Sequence, residues 1–517
     1  MSILKRNSII ILSIWSLFQL QACKAEKEEQ APNIIYILAD DLGYGDVSCL
    51  NPQGKIQTPE MDKLAQSSMV YTDAHTNSAV CTPTRYGILT GRYSWRTELK
   101  KWVVTGYGKS LIKPQRSTLA SLLKTQGYQT ACIGKWHLGW DWNGVDKGKD
   151  SVDFSQPIQN GPTTVGFDYF YGFCGSLDMP PYVWVENNQP TMVPIQVAKR
   201  GTSNYAWFRN GVCSTDFDHE QALPQITERA VSYIQKKSKD EKPFFLYLPL
   251  PAPHLPIMPT EEFKGKSGLD SPYADFVIMV DWVVGEITKS LKANNISENT
   301  LIVFTSDNGC STAANYKHLQ SKGHNPSGEF RGTKADIYEG GHRVPFFVSW
   351  PAKVKSGQSS HLVSTTDFYA TLADLFQVKM QDNEGEDSFS MLQSMGMTST
   401  MPQRESMVQH SGHGMFALRK GDWKACFCPG SGGWTYPTPK DVEKMTEPIP
   451  SVQLFNLKKD IAESKNQYHK HPEKLQELRS ELKQIIENGR STKGAIQQND
   501  GPVFWPQLKL ITEDFKK

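Results

Sequence analysis

The chain has 517 residues, with 56 lysines and arginines against 54 aspartates and glutamates and a formal net charge of +2 at pH 7. A chain of this length usually folds as one large domain with a smaller one, because a single hydrophobic core stops growing at a shorter length. The nearly balanced charge provides no overall field that would attract nucleic acid or an acidic membrane, so any anion-binding site must be built locally.

The N-terminus has the features of an export signal. Two basic residues precede the apolar run Ile9–Leu20, which is too short to span a bilayer comfortably, and the sequence Leu-Gln-Ala-Cys follows, ending at Cys23. This ending resembles the bacterial lipobox, in which cleavage leaves the cysteine as a lipid-carrying N-terminus. We therefore expect a lipoprotein signal peptide over residues 1–22 and a charged tether over residues 23–30. The protein would then be exported and lipid-anchored at Cys23, in the periplasm or on the outer cell surface; an ordinary cleaved secretory signal is the alternative.

Three short apolar runs predict buried strands, and each is followed by polar residues at its carboxyl end. The runs are Asn33–Leu38 before Asp40 and Asp41, Phe244–Leu248 ahead of His254, and Leu301–Phe304 before Asp307 and Asn308. Helices are predicted over Thr58–Ser67, Ser117–Gln126, Leu223–Lys237 and Tyr273–Ala293. Strands that alternate with helices predict an α/β fold in which one edge of the sheet carries the polar residues.

The stretch Asp382–Arg404 is rich in Ser, Gly, Met and acidic residues and shows little periodicity, which favours a boundary near it. Two strands are predicted beyond it, over Phe416–Arg419 and Gln453–Leu457, followed by the amphipathic helix Pro472–Asn488. We expect a catalytic domain over residues 31–400 and a smaller α+β subdomain over residues 401–517.

Two long strings are the most specific part of the sequence. Residues 79–92 read Ala-Val-Cys-Thr-Pro-Thr-Arg-Tyr-Gly-Ile-Leu-Thr-Gly-Arg, and residues 127–139 read Gly-Tyr-Gln-Thr-Ala-Cys-Ile-Gly-Lys-Trp-His-Leu-Gly. In isolation Cys81 would be taken for a small buried residue. Together and in this order the strings resemble the two signatures of the type I sulfatases of the alkaline-phosphatase-like superfamily. The resemblance covers about residues 31–460, with a modest departure at Thr84, where many members have serine.

The resemblance implies a fold and a reaction. The fold is α/β, a large mixed β-sheet sandwiched by helices, with a smaller C-terminal α+β subdomain. In the family a maturase oxidises the cysteine that corresponds to Cys81 to Cα-formylglycine before folding. The hydrated aldehyde offers two geminal hydroxyls, one that attacks sulfur and one that expels the sulfate afterwards, whereas an unmodified thiol is a mediocre nucleophile here.

Four residues offer only oxygen ligands, which suits a hard divalent cation rather than zinc. They are Asp40, Asp41, Asp307 and Asn308. By itself, an Asp-Asp pair after a strand more often makes a solvated turn or caps a helix. The family resemblance implies that these residues bind one Ca²⁺ beside residue 81; magnesium stays open at this stage.

Basic residues are expected around the sulfate, because its negative charge shifts toward the leaving oxygen in the transition state. The family pattern places Arg85 and Lys135 near the formylglycine and His137 on its hydroxyl. It places His254 and Lys334 on the ester, where they are the candidates to protonate the departing alcohol. His137 is the candidate base that releases sulfate.

Specificity is harder to infer from the sequence. Nine residues in loop-like segments are candidates to contact a sugar, with ordinary packing as the alternative for each: Asp178, Tyr182, Trp184, Arg209, His318, His324, Arg343, His413 and Trp434.

Three functions are compatible with these observations. The first is a sulfatase acting on sulfated carbohydrate of glycosaminoglycan, mucin or algal galactan type. The second is a phosphonate or phosphodiester hydrolase of the same superfamily, and the third is a sugar-binding lipoprotein whose Cys81 is never matured. A binding protein needs neither nucleophile nor proton donor, so the residue set favours an enzyme.

Overall fold

The structure is a computed structural model that describes residues 30–199, 201 and 203–512. The described residues from Asn33 onward form one compact unit. The predicted signal peptide, residues 1–22, and Cys23 lie outside the described residues. Within the described part of the chain, no helix is both long and apolar enough to cross a membrane.

The strands are numbered in chain order. They are β1 Asn33–Ala39, β2 Met69–Tyr71, β3 Ala74–His75, β4 Gln129–Lys135, β5 Tyr169–Phe173, β6 Val185–Glu186, β7 Gln189–Pro190, β8 Gln196–Ala198, β9 Gly211–Cys213, β10 Phe244–Pro249, β11 Thr300–Ser306, β12 Phe346–Ser349, β13 Gly357–Ser359, β14 Val363–Ser364, β15 Ser406–His410, β16 Phe416–Lys420, β17 Trp423–Cys426 and β18 Gln453–Asn456.

The α-helices of the described residues are numbered in the same way. They are α1 Pro59–Gln66, α2 Cys81–Thr90, α3 Leu119–Thr125, α4 Ala222–Lys237, α5 Pro272–Ala293, α6 Tyr316–Ser321, α7 Glu339–His342, α8 Phe368–Leu375, α9 Pro439–Lys444, α10 Pro472–Glu487 and α11 Lys509–Thr512.

A large mixed sheet forms the centre of the protein, with strand order β13-β2-β12-β11-β1-β10-β4-β5-β6-β7. Strands β11, β1, β10, β4 and β5 are parallel, whereas β12 pairs antiparallel with β11. Alternate residues of β1 face opposite sides of the sheet. Ile35 and Ile37 pack in the core that includes α1, α4 and α5, and the Tyr36 ring contacts Phe368 of α8 at 5.2 Å. Helices therefore cover both faces, and the expected fold class is confirmed.

The strands and helices predicted from apolar runs are confirmed, with ends that differ by one or two residues. Strand β4 was not predicted as a strand, because its sequence Gln-Thr-Ala-Cys-Ile-Gly-Lys is small and partly polar. It is nevertheless almost wholly buried, since it lies between two parallel neighbours, β10 and β5.

A second sheet lies in the C-terminal part, where β15, β16, β17 and β18 pair antiparallel in that order. Leu478 and Leu482 of α10 pack with Phe416 and Leu418 of β16, so helix and sheet share one apolar cluster. Trp95, from the segment after α2, packs in the same cluster. The α+β character expected for this part is confirmed, and the exact boundary at residue 400 stays a prediction.

Candidate active site

The polar residues meet at one edge of the central sheet because parallel strands present their carboxyl ends on the same side. Asp40 and Asp41 directly follow β1, and Asp307 and Asn308 directly follow the neighbouring β11. Lys135 ends β4, while His254 lies on the loop after β10, the strand between β1 and β4.

Helix α2 brings the cysteine and an arginine to this edge. Cys81 is the first residue of α2, and Arg85 lies about one turn further along; both are buried. The Arg85 guanidinium donates to Asp307 Oδ2 from Nε at 3.0 Å and from Nη2 at 2.7 Å, and Nη1 donates to the Lys135 carbonyl at 2.9 Å. Arg85 thus joins α2 to β11 and β4 through fixed, charge-assisted bonds.

The carboxylates are linked to each other and to two lysines. Asp41 Oδ1 accepts from Asn308 Nδ2 at 2.7 Å and lies 2.5 Å from Lys334 Nζ. Asp40 Oδ2 lies 2.5 Å from Lys135 Nζ. Lys334 Nζ also donates to Cys81 Sγ at 3.4 Å, so the lysine bridges the carboxylates and the cysteine. All the residues proposed from the sequence as catalytic or metal-binding are buried at this edge of the sheet.

Two oxygens in the cluster are buried and have no hydrogen-bond partner among the described residues: Asp40 Oδ1 and Asn308 Oδ1. Buried polar atoms are rarely left unpaired in native proteins, so these two oxygens are candidates to bind a ligand. Ligand atoms of Asp40, Asp41, Cys81 and His254 also lie within 4.8 Å of one another. The oxygens of Asp40, Asp41, Asp307 and Asn308 fit a hard divalent cation.

The two central carboxyls have opposite pKa shifts. Burial raises the pKa of Asp307 to about 7, and the nearby Asp40 adds to the rise that Arg85 opposes. Burial also disfavours the charged form of Asp40, but Lys135 and the other surrounding cations hold the pKa of Asp40 well below its ordinary value. Crowded like charges of this kind are relieved by a bound cation.

The pKa values of Cys81 and Lys334 are both raised, and each shift affects the chemistry of the site. Burial raises the pKa of Cys81 to about 12, so the unmodified thiol would be a poor nucleophile at neutral pH. Burial disfavours the charge on Lys334, yet Asp41 raises the pKa of Lys334 well above its ordinary value, so the ammonium stays charged.

The two histidines differ in their partners. His254 Nδ1 lies 3.1 Å from Ser176 Oγ, and Nε2 lies 3.7 Å from Asp41 Oδ2. His137 has neither ring nitrogen hydrogen-bonded within the described residues, and its φ of 56° is rare for a side chain of this size. Burial, followed by the charge of Lys135, holds the pKa of His137 well below its ordinary value, so the ring is neutral.

The specificity candidates separate into packed residues and residues of a groove. Tyr182 and Trp184 are core residues, and His324 Nε2 donates to Asp46 Oδ1 in the interior at 2.8 Å, while His324 Nδ1 accepts from the Lys55 N–H. For these three the alternative of ordinary packing is correct.

Four other specificity candidates are bonded to protein groups. Arg343 Nη2 donates to the Thr72 carbonyl at 2.6 Å and Nη1 donates to Glu339 Oε2 at 3.1 Å, while His318 Nε2 donates to the Leu269 carbonyl at 3.0 Å. Asp178 is paired with Arg209.

His413 and Trp434 line an open groove that also contains Trp102. Sequence reasoning missed Trp102 and Ser176, because neither belongs to a motif and only the fold brings them to the site.

Fold and site together fit a hydrolase of the alkaline-phosphatase-like type: a buried cysteine begins a helix beside a possible metal-binding cluster and fixed basic residues. A model of the sulfatase family matches residues 32–378. An N-acetylgalactosamine-6-O-sulfatase of Bacteroides thetaiotaomicron is 33% identical over 497 residues, 89% of this chain and 94% of that protein. Human steryl-sulfatase is 28% identical over 457 residues, 77% of this chain and 75% of that protein.

A solved structure from work on the metabolism of multiple glycosaminoglycans by Bacteroides thetaiotaomicron superposes with a TM-score of 0.77 at 33% identity. The superposition covers 88% of this chain and 99% of the chain in that structure. The chain belongs to the sulfatase family, and it is an enzyme that hydrolyses sulfate esters.

Proposed function

We propose that this protein is an exported, lipid-anchored sulfatase that removes sulfate from sulfated carbohydrate, with formylglycine at residue 81 and one bound Ca²⁺. The observation that carries the proposal is the convergence of Cys81, Lys334 and His254 on a carboxylate cluster with unpartnered buried oxygens. Such an arrangement serves a nucleophile, a cation and an anionic substrate at one point.

Asp40, Asp41, Asp307 and Asn308, with residue 81, would hold the Ca²⁺. When bound, the ion supplies positive charge that polarises the nucleophilic hydroxyl and orients the sulfate oxygens. The thiol of Cys81 is only 2% exposed in the folded chain, which supports maturation by a formylglycine-generating enzyme before folding.

The basic residues bind the substrate and move protons. Lys135 and Lys334 present amino groups that bind the sulfate oxygens, and Arg85 fixes Asp307 without contacting solvent. His254 is oriented through Nδ1 by Ser176 and the Leu255 carbonyl, which leaves Nε2 to serve the ester oxygen. The approach of a sulfate anion raises the pKa of His254, which burial and Lys334 lower in the free site, and so favours the protonated acid.

His137 is suited to accept a proton in the step that releases sulfate. Its ring is neutral, both nitrogens are free of partners among the described residues, and its backbone is fixed because Thr82 Oγ1 donates to the His137 carbonyl at 2.8 Å. A neutral, positioned imidazole next to a hydroxyl is the usual form of a general base.

The sulfated carbohydrate is proposed from two observations. The bacterial relative that is 33% identical over most of both chains is named for N-acetylgalactosamine 6-sulfate. In addition, the predicted export signal and lipid attachment at Cys23 would bring the enzyme into contact with glycans outside the cytoplasm. N-acetylgalactosamine 6-sulfate, free or in a glycosaminoglycan, is therefore the first substrate to test.

The test is a substrate panel with matured enzyme: N-acetylgalactosamine 6-sulfate, its 4-sulfate, a steroid sulfate and a phosphodiester. We expect the highest kcat/KM on a sulfated sugar. Faster turnover of the steroid sulfate would reject the carbohydrate substrate, and faster turnover of the phosphodiester would reject the proposed reaction.

A separate experiment tests the lipid anchor. Cys23→Ala should move the protein from the membrane fraction to the soluble exported fraction. An unchanged distribution between the two fractions would show that Cys23 carries no lipid.

A further inference from the structure

An open groove of about 640 Å³ lies beside the catalytic residues. Its lining includes three aromatic rings, from Trp102, His413 and Trp434, together with Leu255, Thr312 and Lys440. Nothing in the proposed chemistry of sulfate cleavage uses these aromatic residues, so their arrangement needs another explanation.

The groove is joined to the segment that carries the catalytic lysine. Leu255 directly follows His254. The backbone N–H of Trp434 donates to Oδ1 of Asp336, which lies two residues after Lys334, at 2.8 Å. On the other wall the Trp102 N–H donates to the Gly412 carbonyl at 2.9 Å, and the Gly412 N–H donates to the Ala335 carbonyl at 2.9 Å. A molecule in the groove would therefore lie next to the ester-binding residues.

The aromatic rings are held in fixed positions. The rings of Trp102 and Trp434 are 6.2 Å apart and 26° from parallel, and His413 meets Trp102 edge-on at 4.5 Å. Trp102 has a φ of 60°, which is a strained conformation for so bulky a residue. Strained backbone conformations are more frequent at ligand-binding sites, where the surrounding structure holds them because they position a side chain.

Trp434 is 38% exposed even though its ring packs against Trp102. A Cβ at the preceding residue, Gly433, would lie 2.3 Å from the Ala335 carbonyl oxygen, so only glycine lets this chain segment approach so closely. The close approach holds the tryptophan at the mouth of the groove with part of its surface open to a ligand. Flat aromatic surface next to hydroxyl and ammonium groups suits a sugar, which has an apolar face and polar edges.

One cation, Lys440, lines the groove. The charges that act on His413 are those of Lys101, Lys440 and Glu443, two positive and one negative. An aromatic platform beside a lysine suits a pyranose that belongs to an anionic glycan.

We propose that Trp102, His413 and Trp434 form a subsite that stacks one pyranose ring of an anionic glycan next to the sulfate ester being cleaved. This inference rests on the proposed carbohydrate substrate. It adds that the enzyme binds the glycan through an aromatic platform. The platform should therefore strengthen the binding of substrates that contain a pyranose ring.

The experiment compares Trp434→Ala with Trp434→Phe on two substrates, N-acetylgalactosamine 6-sulfate within a chondroitin oligosaccharide and 4-nitrophenyl sulfate. Trp434→Ala should lower kcat/KM for the oligosaccharide by about tenfold, mainly through KM, because it removes ring surface that binds substrate and transition state alike. Turnover of 4-nitrophenyl sulfate, which has no pyranose ring, should fall much less. Trp434→Phe keeps a flat ring and should recover most of the loss.

The matched control is Phe504→Ala, which removes another exposed aromatic ring, 53% exposed, that does not line the groove. It should leave both substrates unaffected. Equal kcat/KM of wild type and Trp434→Ala on the oligosaccharide would overturn the subsite while leaving the carbohydrate substrate intact. A wild-type enzyme that desulfates 4-nitrophenyl sulfate but no sulfated sugar would instead overturn the proposed substrate, and the subsite with it.

Discussion

Among the described residues, two of the buried clusters of charged residues and histidines are similar in composition but differ in pairing. The catalytic cluster contains Asp40, Asp41, Cys81, Lys135, His137, His254, Asp307, Asn308 and Lys334. The Lys424 cluster contains His75, Glu339, His342, Lys424 and Glu463. Both include three or more potential metal ligands within 4.8 Å of one another.

The Lys424 cluster already contains its cation. Lys424 Nζ lies 3.0 Å from Glu339 Oε1, 2.9 Å from Glu463 Oε1 and 3.0 Å from His342 Nε2. The other ring nitrogen of His342, Nδ1, lies 3.0 Å from His75 Nδ1. An ammonium group thus occupies the place that a metal ion would need, and it joins the C-terminal sheet to helix α7.

The catalytic cluster also contains cations, Lys135 beside Asp40 and Lys334 beside Asp41, but several of its buried polar atoms have no hydrogen-bond partner. Asp40 Oδ1, Asn308 Oδ1 and both nitrogens of His137 have no partner among the described residues, although all are buried. The difference teaches that composition alone does not distinguish a structural network from a reactive site. What distinguishes them is whether buried polar atoms are satisfied by the protein or left for a ligand.

The largest effect on turnover is expected at Cys81. Cys81→Ala removes the nucleophile and should lower turnover of every sulfate ester by about 10⁴-fold or more. Cys426→Ala, which removes another buried thiol, one close to the Lys424 cluster, should leave turnover almost unchanged. Mass spectrometry of active wild-type protein should find formylglycine in the peptide that contains residue 81, and a fully active sample with only the thiol would contradict the prediction.

The next effect tests the cation site. Asp307→Ala removes an oxygen ligand and the partner of Arg85, and should lower turnover of sulfated sugar and aryl sulfate alike by about 10³-fold. Chelation of wild-type enzyme should do the same, with recovery on adding Ca²⁺, and a crystal structure should show metal–oxygen distances of about 2.3–2.6 Å.

The control for that experiment is Asp367→Ala, which breaks a different buried pair, that with Arg404. It should lower the free energy of unfolding without changing turnover of the folded protein. Full aryl sulfate activity in Asp307→Ala, or carboxylates that point to separate regions in a crystal structure, would argue against a metal at this site.

A more selective loss is expected for the proton donor. A sugar alkoxide is a poor leaving group, whereas nitrophenolate leaves without a proton. His254→Ala or Lys334→Ala should therefore reduce turnover of sulfated sugar by about 10²–10⁴-fold and spare aryl sulfate much better. Equal losses on both substrates for both variants would show that these residues bind sulfate and transfer no proton.

The smallest effect on turnover, with a clear effect on stability, is expected in the Lys424 cluster. Lys424→Met removes the ammonium group that contacts the buried carboxylates of Glu339 and Glu463, of which Glu339 keeps Arg343 at 3.1 Å. It should lower the free energy of unfolding by roughly 3–5 kcal/mol. The matched control is Lys420→Met on the same hairpin, whose partner Glu481 is partly exposed; it should cost about 1 kcal/mol or less. Calorimetry and turnover below the unfolding temperature measure both, and a metal-dependent loss of activity in Lys424→Met would contradict a purely structural role.

Much of the fold could be predicted from local sequence. Strands β1, β10 and β11 are apolar runs bounded by polar residues, which predicts buried strands. Helices α1, α4, α5 and α10 have apolar residues at helical spacing, which predicts helices with one buried face. Strand β4 could not be predicted in this way, because its small and polar residues are buried only by the strands on either side. The order of strands in the sheet was likewise beyond local patterns.

The candidate site shows the same division. The strings around Cys81 and Lys135 and the acidic pairs after two strands identified the chemistry, and the fold brings these residues together. The aromatic groove was only partly anticipated: Trp434 and His413 were candidates, whereas Trp184 proved to be a core residue and Trp102 was missed. Whether a tryptophan is packed or exposed depends on segments distant in sequence, here those around residues 335 and 412.

The sequence by itself determined the residue types available for catalysis and the family to which the chain belongs, because both are written in short contiguous strings. Only the tertiary structure decided which buried atoms are paired, since each pairing joins segments far apart in the chain. Lys334 meets Asp41 and Lys424 meets Glu339 only after folding. Both clusters therefore contain lysines, but in the catalytic cluster this pairing still leaves Asp40 Oδ1 and Asn308 Oδ1 without a partner among the described residues. In the other cluster two carboxylates and an imidazole contact the same ammonium group, a distinction that depends on distances of a few ångströms.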